Sequence, residues 1–206
     1  MKIELDTRAR IVIMMVLINL AILLPLVLVP LYHNNGAAAA IVYNVYGPTC
    51  HQYISRSLCF FRSDDGSWGM GDCIAENSHP TVETRFTMAK LNYSGPFFYS
   101  RNEIGINRAE VVHYEGKTGY KMPACARDFG IYSGTLMSIL LFLAIGKRFG
   151  AVSLPVYLAF LAPLAIDGAS QMVFSYESSN MIRIATGLVA GAASTIALLS
   201  MMFNSE

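Results

Sequence analysis

The chain has 206 residues, 54% of them hydrophobic and only 14% charged, with a net charge of +1. Soluble domains carry about 25% charged residues, so long parts of this chain must be apolar throughout. The near-neutral balance gives no basic surface for nucleic acid, and residues 33–128 are themselves neutral, with nine Lys/Arg against nine Asp/Glu.

Four stretches are long and apolar enough to cross a bilayer, which takes about 20 residues. They are 9–32, 129–146, 151–176 and 181–203, the last two joined as a hairpin through 177–180. The expected fold is an α-helical polytopic membrane protein. It has four transmembrane helices and one extracytoplasmic subdomain, 33–128, containing short β-strands. Lys2, Arg8 and Arg10 stand before or at the very start of the first span, and Lys147 and Arg148 stand between the second and third. With four spans both clusters fall on one side, which the positive-inside rule makes cytoplasmic. The expectation is therefore a multi-pass protein of the cell membrane with both termini inside. Arg183, just past the outer turn, is the exception.

The first span has a basic start, and Ala38-Ala39-Ala40 resembles a small-residue cleavage site. Its apolar run exceeds the 7–15 residues of a signal core, so an uncleaved helix is expected. Either reading exports 33–128.

Within the exported region, Gly36–Tyr46 reads as a short helical or interfacial piece ended by Gly47-Pro48. Residues 63–67 and Trp68–Asp72 read as turn-rich, because Gly66, Gly69 and Gly71 fall there. Residues 84–91 and 96–100 suggest short strands, and 110–115 and 119–122 flank Gly116-Lys117-Thr118 as a hairpin. An Asn-Tyr-Ser sequon at Asn92 is compatible with export.

All four cysteines and all four histidines lie between His33 and Cys125. Cys50-His51-Gln52 follows the Gly-Pro turn, and Cys125 stands just before the second span with Arg127 and Asp128. A Cys-His pair, a distant Cys and an Asp are ligand types that suit zinc, and sulfur with imidazole suits other transition metals too. An oxidising exterior and an even cysteine count suit disulfides instead, with Cys50–Cys125 and Cys59–Cys73 as one pairing of three. Free or redox-active thiols are the third reading. His33, His79 and His113 read as ordinary surface or turn residues.

Inside the third span stands Asp167, with Pro163 four residues before it and Gln171 four residues after. A carboxylate at a helix centre costs about 2.5–3.5 kcal/mol, so it faces a partner or a wet cavity. Residues four apart share a helix face, and Pro163 allows a kink. Asp167 lies roughly 13 Å from the outer end of its span, at 1.5 Å per residue. Arg183 enters the fourth span from that side, and pairing with Asp167 would account for the exception to the orientation rule. Arg127, Asp167, Gln171 and Arg183 are the expected polar cavity. A buried ion pair that only fixes helix register is the competing reading. Gly130-x-x-x-Gly134 and Gly187-x-x-x-Gly191 are small-residue faces for packing within the bundle.

These pieces resemble a prokaryotic membrane-protein family known as a domain of unknown function, number 2085. The resemblance rests on Cys50-His51-Gln52 with Arg56-Ser57, and on Cys125-Ala126-Arg127 running into Gly130-Ile131-Tyr132 and Gly134. It rests further on Pro163 with Asp167-Gly168 and Gln171, and on Asn180, Arg183, Thr186-Gly187 and Gly191. In the family a second cysteine typically follows the Cys-x-Arg, where this chain has Asp128. The resemblance implies a zinc-type set of Cys50, His51 and Cys125, here with Asp128 as fourth ligand. It also marks 58–122 as an insertion with its own candidate disulfide, Cys59–Cys73.

Three functional readings follow. The first is an outward-facing Cys/His/Asp site, metal-binding or structural, above a polar intramembrane cavity. If catalytic, its chemistry would be metal-activated water. The second is a carrier or accessory subunit for a small ion or lipid headgroup, working as a homo-oligomer because four spans are few. The third is a membrane scaffold whose exported domain binds another protein through an apolar patch at Phe60-Phe61 or Phe97-Phe98-Tyr99.

Overall fold

A computed structural model describes residues 7–31, 36–46, 53–74, 81–83, 92–94, 110–114, 116–145, 152–174 and 178–203. In chain order these form α1 (Thr7–Leu31), α2 (Gly36–Tyr46), a 3-10 turn (Ile54–Arg56), β1 (Leu58–Ser63) and β2 (Trp68–Asp72). Then come β3 (Thr81–Glu83), β4 (Asn92–Ser94), β5 (Val111–Tyr114), β6 (Lys117–Lys121), α3 (Ala126–Ile145), α4 (Leu154–Val173) and α5 (Asn180–Phe203). Among the described residues, α1, α3, α4 and α5 are long and apolar enough to cross a membrane. The expected strands 84–91 and 96–100 lie outside the described residues.

The chain divides into two compact units. The helical unit comprises Met1–Leu24, Phe129–Tyr176 and Ile182–Glu206; the sheet unit comprises Pro25–Asp128 and Glu177–Met181.

In the helical unit, α3 and α5 approach backbone to backbone. A Cβ at Gly130 would overlap the Ile184 carbonyl, and one at Gly134 would overlap the Leu188 carbonyl. Gly191 stands likewise against Ile131. Only glycine permits these approaches, the small-residue packing of membrane helices. The pairs Gly130–Ile184 and Gly134–Leu188 advance together, so α3 and α5 run parallel, as alternate spans must. Further along, Val12, Ile139 and Leu199 form an apolar core with Met15, Val16, Phe142 and Phe203 packed on it. Phe142 stacks on Phe203 at 5.4 Å, and the Arg8 guanidinium lies over the same ring at 5.8 Å. The start of α1 and the end of α5 therefore share one end of the bundle. α4 starts with Pro in its first turn, where a missing N–H costs nothing. Its outer surface keeps Leu158, Phe160, Ile166 and Met172 exposed, which a lipid solvent favours.

The sheet unit holds an antiparallel sheet of order β2-β1-β6-β5-β3-β4. Its strands begin at Leu58 and end at Lys121, so the sheet occupies the segment read as an insertion. Two glycines carry the turns, Gly66 at φ 84° and Gly116 at φ 72°, where other residues are strained. Gly116 makes the expected hairpin, but Lys117 and Thr118 already belong to β6. Trp68–Asp72, read from sequence as a turn, is a strand paired with β1 from Leu58↔Asp72 to Arg62↔Trp68. The Phe61 ring covers Gly119 of β6, where a Cβ would overlap it, while Gly71 of β2 has room for a Cβ 3.8 Å from that ring and Gly69 faces open space. Ile54, Cys59, Cys73, Ile74, Val82 and Val112 form the core. Within it Cys59 and Cys73 are disulfide-bonded, 14 residues apart in sequence, a loop for which a bond contributes about 3 kcal/mol. α2 buries Ala39, Tyr43 and Tyr46 on one face and is helical, as read.

Candidate functional site

Three polar side chains from α4 and α5 are buried together in the helical unit. Asp167 is 8% exposed, Gln171 6% and Arg183 2%. The i, i+4 spacing lays Gln171 along Asp167. Its amide Nε2 donates to the Asp167 carboxylate Oδ2 at 3.0 Å and to the Asp167 carbonyl at 3.0 Å. From α5, Arg183 Nη2 donates to Gln171 Oε1 at 3.3 Å. Gln171 touches both members of the pair the sequence suggested: its amide presents its donor end to the Asp167 carboxylate and its acceptor end to the Arg183 guanidinium. Ser170 Oγ adds a bond to the Asp167 carbonyl. Pro163 lies inside α4 and supplies no N–H to the carbonyl one turn back. Hydrogen bonds to charged groups are worth about 1.5–3 kcal/mol each, and in a bilayer the alternative is an unsatisfied charge.

Toward the other end of this hairpin, Tyr157 and Ser194 hydroxyls stand 3.4 Å apart. Between α4 and α5 lies an apolar groove of about 230 Å³, lined by Val156, Phe160, Leu188 and Ala192 among others. Leu188 is five residues along α5 from Arg183, about 7.5 Å by helical rise.

Cys125, Arg127 and Asp128 fall in the sheet unit. Cys125 immediately precedes α3, whose first turn contains Arg127 and the acidic Asp128; all three are half-buried. An acidic residue in a first turn complements the helix dipole. Cys50 and His51 lie outside the described residues. Among the described residues no group of three or more His, Cys, Asp or Glu gathers as a metal site. Of the sequence-predicted residues, the structure thus brings together Asp167, Gln171 and Arg183, and separately Cys59 and Cys73.

Residues of the family-like blocks also carry structure. Asn180 Nδ2 donates to the carbonyls of Ser55 (3.4 Å) and Ser57 (3.3 Å) and to Asp72 Oδ1 (3.0 Å). Ser57 is fully buried and its Oγ bonds the Tyr53 carbonyl, while Arg56 stacks over the Tyr53 ring at 4.9 Å.

Among the described residues of the sheet unit, the nearly inaccessible titratable side chains Tyr43 (1% exposed), Glu110 (1%) and Lys121 (0%) escaped sequence reasoning. Tyr43 Oη donates to the Lys121 carbonyl, and the Lys121 N–H donates to the Glu110 carbonyl at 2.8 Å. Burial, and secondly the charge of Glu110, hold the Tyr43 hydroxyl well above the usual tyrosine range. The available signal was the spacing of Tyr43 with Ala39 and Tyr46 on one face of an apolar helix. Asn19, 5% exposed in α1, also went unread; among the described residues its Oδ1 has no hydrogen-bond partner.

Residues 116–197 match the family described as Predicted membrane protein (DUF2085). The match runs from the β5–β6 turn through α3 and α4 into α5. It includes Cys125, Asp167, Gln171 and Arg183 and leaves the Cys50-His51 block outside. An uncharacterized protein of Methanocaldococcus jannaschii is 35% identical over 89 residues, 42% of this chain and 56% of the relative. An uncharacterized protein of Methanothermobacter thermautotrophicus is 36% identical over 73 residues, 35% of this chain and 66% of the relative. The chain thus spans between about half and two thirds of the length of these relatives. No solved structure gives a significant match.

Proposed function

Starting from residues 116–197 as those of a predicted membrane-protein family, we propose that the working centre of this chain is the polar chain Asp167–Gln171–Arg183. In this reading it binds a small ion or a lipid headgroup near the outer face of the membrane, as part of a carrier or accessory subunit. The observation that supports it is the burial of three polar side chains from two helices, joined through one amide, inside otherwise apolar spans. Intramembrane ionisable residues are functional by default. The apolar groove beside α4 and α5 suits an acyl chain and so favours lipid as one source of the bound group. Both termini are cytoplasmic and 33–128 is extracytoplasmic; the basic clusters argue for it, and the Cys59–Cys73 disulfide suits an oxidising compartment.

The test is native mass spectrometry of protein released from nanodiscs of defined anionic and zwitterionic lipid, beside ion titrations followed by thermal unfolding. Arg183→Leu and Asp167→Asn lose the lipid adduct or the ion-dependent shift if the reading holds. Equal retention by both variants removes it.

A second reading concerns Cys50, His51, Cys125 and Asp128 as ligands for zinc or another transition metal. It is favoured by Cys125 standing immediately before α3 and Asp128 in its first turn, three residues on, both of ligand types that suit zinc. Elemental analysis decides it. One metal per chain, lost in the doubly substituted Cys50→Ser and His51→Ala protein, supports the site. Substoichiometric metal unchanged by that substitution sinks it.

A further inference from the structure

We propose that a polar layer in the middle of the helical unit, built on Asn19 of α1, binds a dehydrated monovalent cation of the size of sodium. The layer is separate from the Asp167–Gln171–Arg183 centre and adds a second site to the small-ion reading.

Asn19 is the central residue of the Thr7–Leu31 span. It is 5% exposed, and among the described residues its Oδ1 accepts no hydrogen bond. A buried acceptor left without a donor costs about 1–3 kcal/mol, and hydrocarbon offers it no relief. Its surroundings follow from the packing. Arg8 lies over Phe203, and Val12 packs with Leu199 and Ile139, so each turn outward along α1 matches a turn back along α5. Asn19 is four residues from Met15 and three from Val16, both packed on that core, and shares their face. Thr195, 5% exposed, stands four residues before Leu199 and four after Gly191, which abuts Ile131 of α3. It lies on the same face of α5, at the level of Val16. Side chains lean toward the N-terminus of their helix, which carries the Asn19 amide back to that level. From α3, Ser138, 4% exposed, donates its hydroxyl proton to the Ala192 carbonyl at 3.4 Å.

Asn19, Ser138, Thr195 and the Ala192 carbonyl thus bring oxygen atoms from three helices into one layer. Hard cations take oxygen ligands, and membrane carriers hold sodium near the midplane on such groups. The Ser138 proton is committed to Ala192, so the layer offers more lone pairs than protons, which suits a cation better than a water. Size is set by the glycine contacts beside it, Gly134 against Leu188 and the Ala192 amide, and Gly191 against Ile131. Helices this close favour sodium over a larger ion. On the inner side, Met15, Val16, Phe142 and Phe203 on the Val12–Ile139–Leu199 core close the layer to water. Arg10 is nine residues before Asn19 and Arg183 nine before Ala192, each roughly 13 Å by helical rise, so neither guanidinium repels the guest at close range.

The experiment uses purified full-length protein in nanodiscs. Equilibrium dialysis against radioactive sodium measures binding directly. Thermal unfolding of the helical signal is followed in sodium, potassium and choline chloride at one ionic strength. The expected result is a single saturable sodium per chain, at least fivefold weaker binding of potassium, and a rise in melting temperature with sodium that choline does not give. Asn19→Leu abolishes both the bound sodium and the rise, and Thr195→Val weakens sodium at least fivefold. Asn19→Leu removes the unpartnered acceptor, so the bundle folds without sodium, and its helical ellipticity checks this. The proposal is overturned by no bound sodium, by an equal response to all three salts, which leaves a buried water only, or by Asn19→Leu binding like wild type. Sodium lost in Asp167→Asn and kept in Asn19→Leu overturns it in favour of the Asp167–Gln171–Arg183 centre.

Discussion

The sheet unit and the helical unit solve the same packing problem under different solvents. In the sheet unit a small dry core excludes water, a disulfide crosses it, and buried backbone groups are bonded by side chains such as Tyr43 and Asn180. In the helical unit lipid is as apolar as the side chains, so burial alone gives little drive. Close glycine approaches and one polar chain supply the specificity instead. The difference teaches where each unit is vulnerable: one to loss of a cross-link or cap, the other to added volume or lost charge.

The largest effect should come from Gly134→Leu. Its side chain has no room against the Leu188 backbone, and overpacking of this kind costs about 1–3 kcal/mol or more. The expected outcome is loss of helical thermal stability by circular dichroism, with the Trp68 emission of the sheet unit little changed. A Gly134→Leu protein as stable as wild type would remove the glycine contact as the organising feature of the bundle.

Reduction of Cys59–Cys73, or Cys59→Ala with Cys73→Ala, should destabilise the sheet unit by about 3 kcal/mol and leave the bundle alone. Trp68 fluorescence against helical ellipticity separates the two. A parallel drop in both signals would show that the units do not unfold separately.

Asn180→Ala removes three acceptances, at Ser55, Ser57 and Asp72. An unsatisfied buried group costs about 1–3 kcal/mol, and urea unfolding followed at Trp68 should register it. An unchanged midpoint would make the Asn180 clasp dispensable.

A smaller and more specific effect concerns pH. The Tyr43 hydroxyl has its pKa raised by burial and by Glu110, so its stability contribution is present in full below the unfolded tyrosine value near 10. Above that pH the unfolded chain releases the proton first, and stability falls by up to about 1.4 kcal/mol per pH unit. Tyr43→Phe should flatten this decline in the sheet unit. An identical alkaline slope in the variant would contradict the assignment.

The four spans were legible because uninterrupted apolar length is a one-dimensional signal; α1 at Thr7–Leu31 departs from the 9–32 reading by two residues at one end and one at the other. The β5–β6 hairpin was legible through Gly116, whose positive φ a tight turn requires. β2 was not, because Gly69 and Gly71 mimic turn residues, while the strand is set by its pairing with β1, a neighbour in space. Cys59–Cys73 was one pairing among three that composition allowed. The i, i+4 rule placed Gln171 beside Asp167, yet its position between carboxylate and guanidinium depends on how α5 packs on α4, which no local pattern encodes. Lys121 buried in β6 was equally hidden, since burial of a charge depends on the surrounding fold.

The central claim is that Asp167, Gln171 and Arg183 act as one unit. A double-mutant cycle with Asp167→Asn and Arg183→Leu, read by thermal unfolding of the bundle in nanodiscs, tests it most directly. The account predicts that the double variant is less destabilised than the sum of the two single variants by at least about 1 kcal/mol, the coupling expected within one network. Strictly additive effects would contradict it.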